Sequence, residues 1–123
     1  MQKRVLVVDD SATVRKVLQA ALSGAGYEVT EAENGEQALE YAEDANYDLL
    51  MTDLNMPLMD GFELVREFRK LEGYRFTPTI MLTTEMDIQK KTECFEVGVS
   101  GWLNKPFETK QILQIIKIIA PHV

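Results

Sequence analysis

Three carboxylates, a pair of hydroxyls and one ammonium give this sequence its chemical potential. Asp9 and Asp10 follow the apolar residues 4–8, Asp53 follows residues 49–52, Thr83 and Thr84 close the run that starts at residue 78, and Lys105 stands before Pro106. Carboxylates brought together repel one another, and a divalent cation relieves the repulsion. Hard oxygen donors without cysteine or histidine beside them select magnesium, or manganese in its place. Magnesium tends to bridge carboxylates to a phosphate, a lysine ammonium suits a second phosphate oxygen, and the Thr83 hydroxyl could donate to a third. In that company Asp53 reads as a carboxylate nucleophile that becomes an aspartyl phosphate. The cation and Lys105 would neutralise charge on the transferring phosphoryl group.

These side chains can meet only if separate segments deliver them to one place. Residues 4–8, RVLVV, are short, β-branched and continuously apolar, which describes a buried strand. From Ser11 to Ala25 the spacing is helical, with Val14, Val17, Leu18, Ala21 and Leu22 on one face and Gly24 and Gly26 at the end. YEVTEA, residues 27–32, alternates like a half-buried edge strand. Asn34-Gly35 then opens a helix with Ala38, Leu39 and Ala42 inward. DLLMT, residues 48–52, is a third strand, and a helix from about Gly61 carries Phe62, Leu64, Val65 and Phe68. PTIMLTT, residues 78–84, makes a fourth strand; residues 87–97 a helix stopped by Gly98; VSGWL, residues 99–103, a fifth strand; residues 109–119 a last helix. Asp60-Gly61 is best read as a turn and helix start, not as a ligand.

Strand and helix alternate along the whole chain with short links, the pattern of a doubly wound α/β fold with a five-stranded parallel sheet. The most uniformly apolar strands, the first, third and fourth, belong in its middle and the alternating second at an edge. In such sheets ligands bind beyond the carboxyl ends of the strands, where Asp9, Asp10, Asp53, Thr83 and Lys105 all fall.

The bulk properties narrow the reading. With 123 residues, 46% of them hydrophobic, the chain is one domain with a core of useful size. A net charge of −7 argues against nucleic acid as a partner of this domain alone. Neither a membrane-length apolar stretch nor a signal peptide is visible. The single cysteine, Cys94, rules out an internal disulfide and fits the cytoplasm.

VLVVDD, MTDLNMPLMDG, MLTTE and GWLNKPF, taken in order, resemble the response regulator receiver domains typified by CheY. The resemblance spans the chain and is closest to stand-alone chemotaxis receivers of bacterial two-component systems. It implies the flavodoxin/CheY-like strand order 2-1-3-4-5. It implies that Asp53 accepts a phosphoryl group from a CheA-like sensor histidine kinase. Asp10 and Asp53, with Asp9 partly through water and the backbone carbonyl of Asn55, would hold the magnesium. Thr83 would be the switch hydroxyl, Lys105 the phosphate-binding lysine, Trp102 the switch aromatic where tyrosine or phenylalanine is usual, and Lys105-Pro106 a cis bond. Thr84 and Glu85 would gate the site and tune dephosphorylation. With residues 1–123 filled by one receiver, no output domain is expected. The output would be a partner such as a flagellar motor switch protein.

Blander readings stand beside these. Asp10 could merely cap the first helix. Thr83 could be chosen for β propensity, and Trp102 could be plain core. Ile112, Ile115, Ile116 and Ile119 should pack on the sheet, whereas Leu113 and Ile118 fall outside that face. Exposed beside Trp102, they suggest a partner or homodimer surface formed by the fourth helix, fifth strand and fifth helix, or else scattered surface apolar residues. Two further functions compete with a motor-binding switch: a phosphate sink or relay intermediate, and a small magnesium phosphatase with an aspartyl nucleophile. The phosphatase would need a general acid two residues after Asp53, where Asn55 stands. Stoichiometric transfer and slow self-hydrolysis fit the label enzyme poorly.

Overall fold

The computed structural model describes residues 2–84 and 88–123. Its strands are β1 (Arg4–Val8), β2 (Glu28–Ala32), β3 (Leu49–Asp53), β4 (Thr79–Thr83) and β5 (Gly101–Asn104), all parallel in one sheet ordered β2-β1-β3-β4-β5. Every residue of β3 and β4 is buried, as is β1 after Arg4. The apolar strands therefore take the centre, and the mixed sequence of β2 takes an edge where one face need not be covered.

The helices are α1 (Ala12–Gly24), α2 (Gly35–Asp44), α3 (Gly61–Lys70), α4 (Ile88–Val97) and α5 (Thr109–Ile119). They cover both faces. On one face Leu6, Val8, Leu50 and Met81 meet Phe62, Val65 and Phe68 of α3 and Cys94 of α4. On the other, Val5, Val7, Met51 and Leu82 meet Leu18 and Leu22 of α1 and Ile112 and Ile116 of α5. Each such fully buried side chain contributes on the order of 2 kcal/mol of transfer free energy. Ser11, Asn34 and Asp60 cap α1, α2 and α3, each side chain accepting a backbone N–H three residues on. Tyr74 stacks on Phe68 at 4.3 Å and donates its hydroxyl to the carbonyls of Ala42 and Ala45, which closes the end of α2.

Several sequence expectations shift. Val17 is 44% exposed, because the inward stripe of α1 narrows to Leu18, Ala21 and Leu22. Leu113 does not stand beside Trp102. It is half-buried against the α1 side of the sheet and lines a groove with Val17, Ala21 and Thr109, whereas Trp102 packs on the opposite face. Neighbouring residues of a strand point to opposite faces, and α5 lies over only one of them. Leu113 and Trp102 therefore pack on opposite faces of the sheet. Ile118 is 77% exposed, as expected.

Among the described residues, no helix is long and apolar enough to cross a membrane.

Candidate functional site

Parallel strands end on a common rim, so residues far apart in sequence arrive together there. The β1–β3 and β3–β4 registers set Val8 opposite Thr52 and Asp53 opposite Leu82. Asp9 and Asp53 leave the sheet side by side, with Thr83 at the end of the next strand. Oxygens from Asp9, Asp10 and Asp53 all lie within 4.8 Å of one another. Asp9 is fully buried, Asp53 6% exposed, and Asp10 open to solvent.

Lys105 reaches this cluster from the far edge of the sheet. Its backbone N–H donates to the Thr83 carbonyl at 2.8 Å, which prolongs the β4–β5 ladder one step past β5. The ammonium then donates to Asp9 Oδ2 at 2.8 Å and to Asp53 Oδ1 at 3.1 Å. The bond to Pro106 is cis. Burial alone would lower the Lys105 pKa, but its bonds to Asp9 and Asp53 outweigh that and hold it above the usual lysine value. Asp53 shows the complementary effect. Burial first, and then the charge of Asp9, push its carboxyl above the ordinary carboxylate value against the pull of Lys105.

Close packing holds Asp53 from below. A Cβ on Gly61 would lie 2.6 Å from the Asp53 carbonyl oxygen and 3.0 Å from Leu54 Cα, so only glycine fits where α3 begins. The Gly61 N–H donates to the Leu54 carbonyl at 2.8 Å, tying the loop after β3 to the start of α3. Between them Leu58 adopts a left-handed φ of 73°.

Asp9, Asp10, Asp53 and Lys105 are thus brought together as expected, and the buried Thr83 ends the neighbouring strand β4. Asn55 is exposed on the loop directly after β3, and Thr84 is exposed at the rim. Glu85 lies outside the described residues. The helix-cap reading of Asp10 is excluded, since Ser11 caps α1. Trp102 is half-buried on the face that carries Met81, its partner across the β4–β5 pair. Phe95 meets its edge at 6.1 Å and Lys91 stands over its ring at 5.2 Å. Strand alternation puts Thr83 on that same face. The sequence reading overlooked Arg15, whose guanidinium donates to the Asp9 carbonyl at 2.7 Å. An arginine at the fourth position of a helix that starts just after the acidic pair was the available signal.

The donor set is wholly oxygen, which suits a small hard cation and offers nothing to a soft one. The sheet order, with a strand-end aspartate, two further carboxylates, a lysine and a threonine at or near its rim, places the domain in the flavodoxin-like class. The chain belongs to the response regulator receiver domain family, whose model matches residues 5–117. It is similar to the chemotaxis protein CheY4 of Vibrio cholerae, with 43% identity and a TM-score of 0.95 over 97% of this chain and 99% of that one. It is also similar to the receiver domain of sensor histidine kinase PA1611 from Pseudomonas aeruginosa PAO1, solved with a magnesium ion coordinated in the active site cleft. There the identity is 31% and the TM-score 0.87, over 97% of this chain and 98% of that one. The transcriptional regulatory proteins ResD of Bacillus subtilis and SrrA of Staphylococcus aureus are 36% and 34% identical over 96% and 97% of this chain, and 48% of each of theirs. The chain spans about half the length of these curated relatives.

Proposed function

We propose that this receiver domain takes a phosphoryl group from the phosphohistidine of a CheA-like sensor kinase onto Asp53. The observation that supports this most directly is the Lys105 ammonium shared between Asp9 and Asp53 at the rim. In the transfer an Asp53 carboxylate oxygen attacks phosphorus, the P–N bond to the donor imidazole breaks, and the imidazole leaves with the bonding electron pair. Burial raises the basicity of the Asp53 oxygen, and β3 fixes its direction. Lys105 and the Thr83 hydroxyl would bind the phosphoryl oxygens. Asp9, Asp10 and Asp53, with the Asn55 backbone carbonyl, would hold Mg2+ or Mn2+, which when bound neutralises charge on the phosphoryl group. Turnover is not required, so the domain acts as a stoichiometric phosphoacceptor rather than an enzyme.

Phosphorylation would draw Thr83 toward the phosphoryl group and let Trp102, on the same sheet face, repack. The surface of α4 and β5 around Phe95 and Trp102 would then change its affinity for a partner. The likeness to CheY4 favours a chemotaxis output, a target such as a flagellar motor switch protein, and a cytoplasmic setting. The likeness to ResD and SrrA favours a second reading, a receiver that controls transcription. A phosphate sink would need no output partner.

Transfer from a CheA-like kinase carrying labelled phosphohistidine tests the proposal. One label per chain should move to the wild type and none to Asp53→Asn. Label that stays on the kinase, while the kinase phosphorylates another receiver, would contradict it.

A further inference from the structure

The Asp9 carbonyl is half of the peptide plane that joins the two consecutive carboxylates. Arg15 Nη1 donates to that oxygen at 2.7 Å, from the first turn of α1. The rest of Asp9 is fastened as well. Its N–H donates to the Ala32 carbonyl at 3.2 Å, and its Oδ1 accepts the Ser11 N–H at 2.9 Å. Asp10 is exposed, so the direction of its side chain follows from the peptide on either side of it. Arg15 grips the plane before Asp10, and the Ser11 N–H, bound to Asp9 Oδ1, holds the plane after it.

Arg15 is itself held. Its Nε stands 3.3 Å from Glu31 at the end of β2, and its side chain is only 13% exposed. Lys16 engages the other Glu31 oxygen at 3.1 Å. The planar guanidinium can serve the carboxylate and the carbonyl at once because its donors are fixed in a fork, which a lysine ammonium lacks. A line of contacts thus runs from β2 through Arg15 to the peptide between Asp9 and Asp10.

We infer that Arg15, braced by Glu31, is the positioning residue of the cation site: it sets the Asp9–Asp10 peptide plane and thereby aims Asp10. This rests on the reading of the three carboxylates as a magnesium site. Two influences of Arg15 on a bound cation have opposite sign. As a positive charge near the site it opposes cation binding, so on charge alone its neutralisation should tighten magnesium. As a positioning group it favours binding, because outer-shell partners of metal ligands typically contribute about tenfold or more in affinity.

The test is calorimetric titration of Mg2+ into the wild type, Arg15→Met and Arg15→Lys well below their melting temperatures. Arg15→Met should bind about tenfold more weakly despite the lost positive charge. Arg15→Lys, which keeps the charge and serves as the second variant if Arg15→Met does not fold, should also bind more weakly. Excess Mg2+ should restore phosphoryl acceptance to both, a recovery that a general loss of folding would not show. Magnesium binding by Arg15→Met as tight as wild type or tighter overturns the inference alone; if only Arg15→Lys folds, unchanged binding by it does the same. A folded wild type that takes up no Mg2+ overturns the cation-site reading, and this inference with it.

Discussion

Lys105 and Asp53 are joined by a hydrogen bond of 3.1 Å, although they come from opposite ends of the β3–β4–β5 half of the sheet. The same ammonium also binds Asp9 at 2.8 Å. One cation thus serves two buried carboxylates, with Asp10 beside them as a third. The rim is left with more negative charge than its own residues offset. Its properties follow from that imbalance.

Asp53→Asn should fold and be more stable than wild type near neutral pH without added cation, by about 1 kcal/mol. The Asp53 carboxyl has a raised pKa in the folded chain, so it holds its proton more tightly there than in the unfolded chain. Its ionised form therefore disfavours folding at neutral pH. That penalty fades as the pH falls through the raised folded value toward the ordinary value near 3.8. Urea unfolding across this range should show the advantage of Asn shrinking in acid. An advantage that grows in acid would show Asp53 to be stabilised as a carboxylate.

Asp10→Asn should weaken magnesium binding while raising stability in chelator, since it removes a carboxylate from the cluster without taking a bond from Lys105. The wild type should gain about 1.4 kcal/mol of stability at ten times the magnesium dissociation constant. Thermal unfolding with and without Mg2+ reads both effects. Equal magnesium stabilisation of the two proteins would remove Asp10 from the site.

Lys105→Met should have the opposite consequence. Asp9, fully buried, loses its ammonium partner, and chelated protein should lose about 2 kcal/mol. Mg2+ should recover more stability in this variant than in wild type, because it replaces the missing positive charge. Unfolding in chelator and in saturating Mg2+ gives the comparison, and equal recovery would argue against a shared electrostatic origin.

Gly61→Ala and Gly24→Ala form a matched pair. At Gly61 the new methyl meets the backbone of Asp53 and Leu54, which cannot turn away. The variant should lose about 2 kcal/mol or more and accept phosphoryl groups slowly. At Gly24, near the end of α1, nothing lies within 4 Å of the new methyl, and alanine should be neutral or stabilising by up to about 1 kcal/mol. Similar stability losses in both would mean that the glycines matter only for backbone entropy.

The strand order and the rim residues were legible because they depend on patterns that sequence carries directly. Continuous apolar runs marked β1, β3 and β4 as central, and the clustered Asp9 and Asp53 stand just past β1 and at the end of β3. Less was visible where one interaction overrode a local preference. Ser11 displaced Asp10 as the cap of α1, since both types suit that position and only the backbone decides. Leu113 was put on the wrong side because helical spacing tells which residues share a face but not which face of the sheet the helix covers. Arg15 escaped notice because its partner at the acidic pair is a backbone oxygen, which has no side-chain signature. The placement of Gly61 against Asp53 was hidden for the same reason.

The most direct measurement is intact mass after incubation with a small acyl phosphate and Mg2+, with Asp53→Asn and a chelator control beside the wild type. The account predicts one added phosphoryl group on the wild type, none on Asp53→Asn and none in chelator. Addition to Asp53→Asn, or undiminished addition without a divalent cation, would contradict the assignment of Asp53 as the acceptor or of the three carboxylates as its magnesium site.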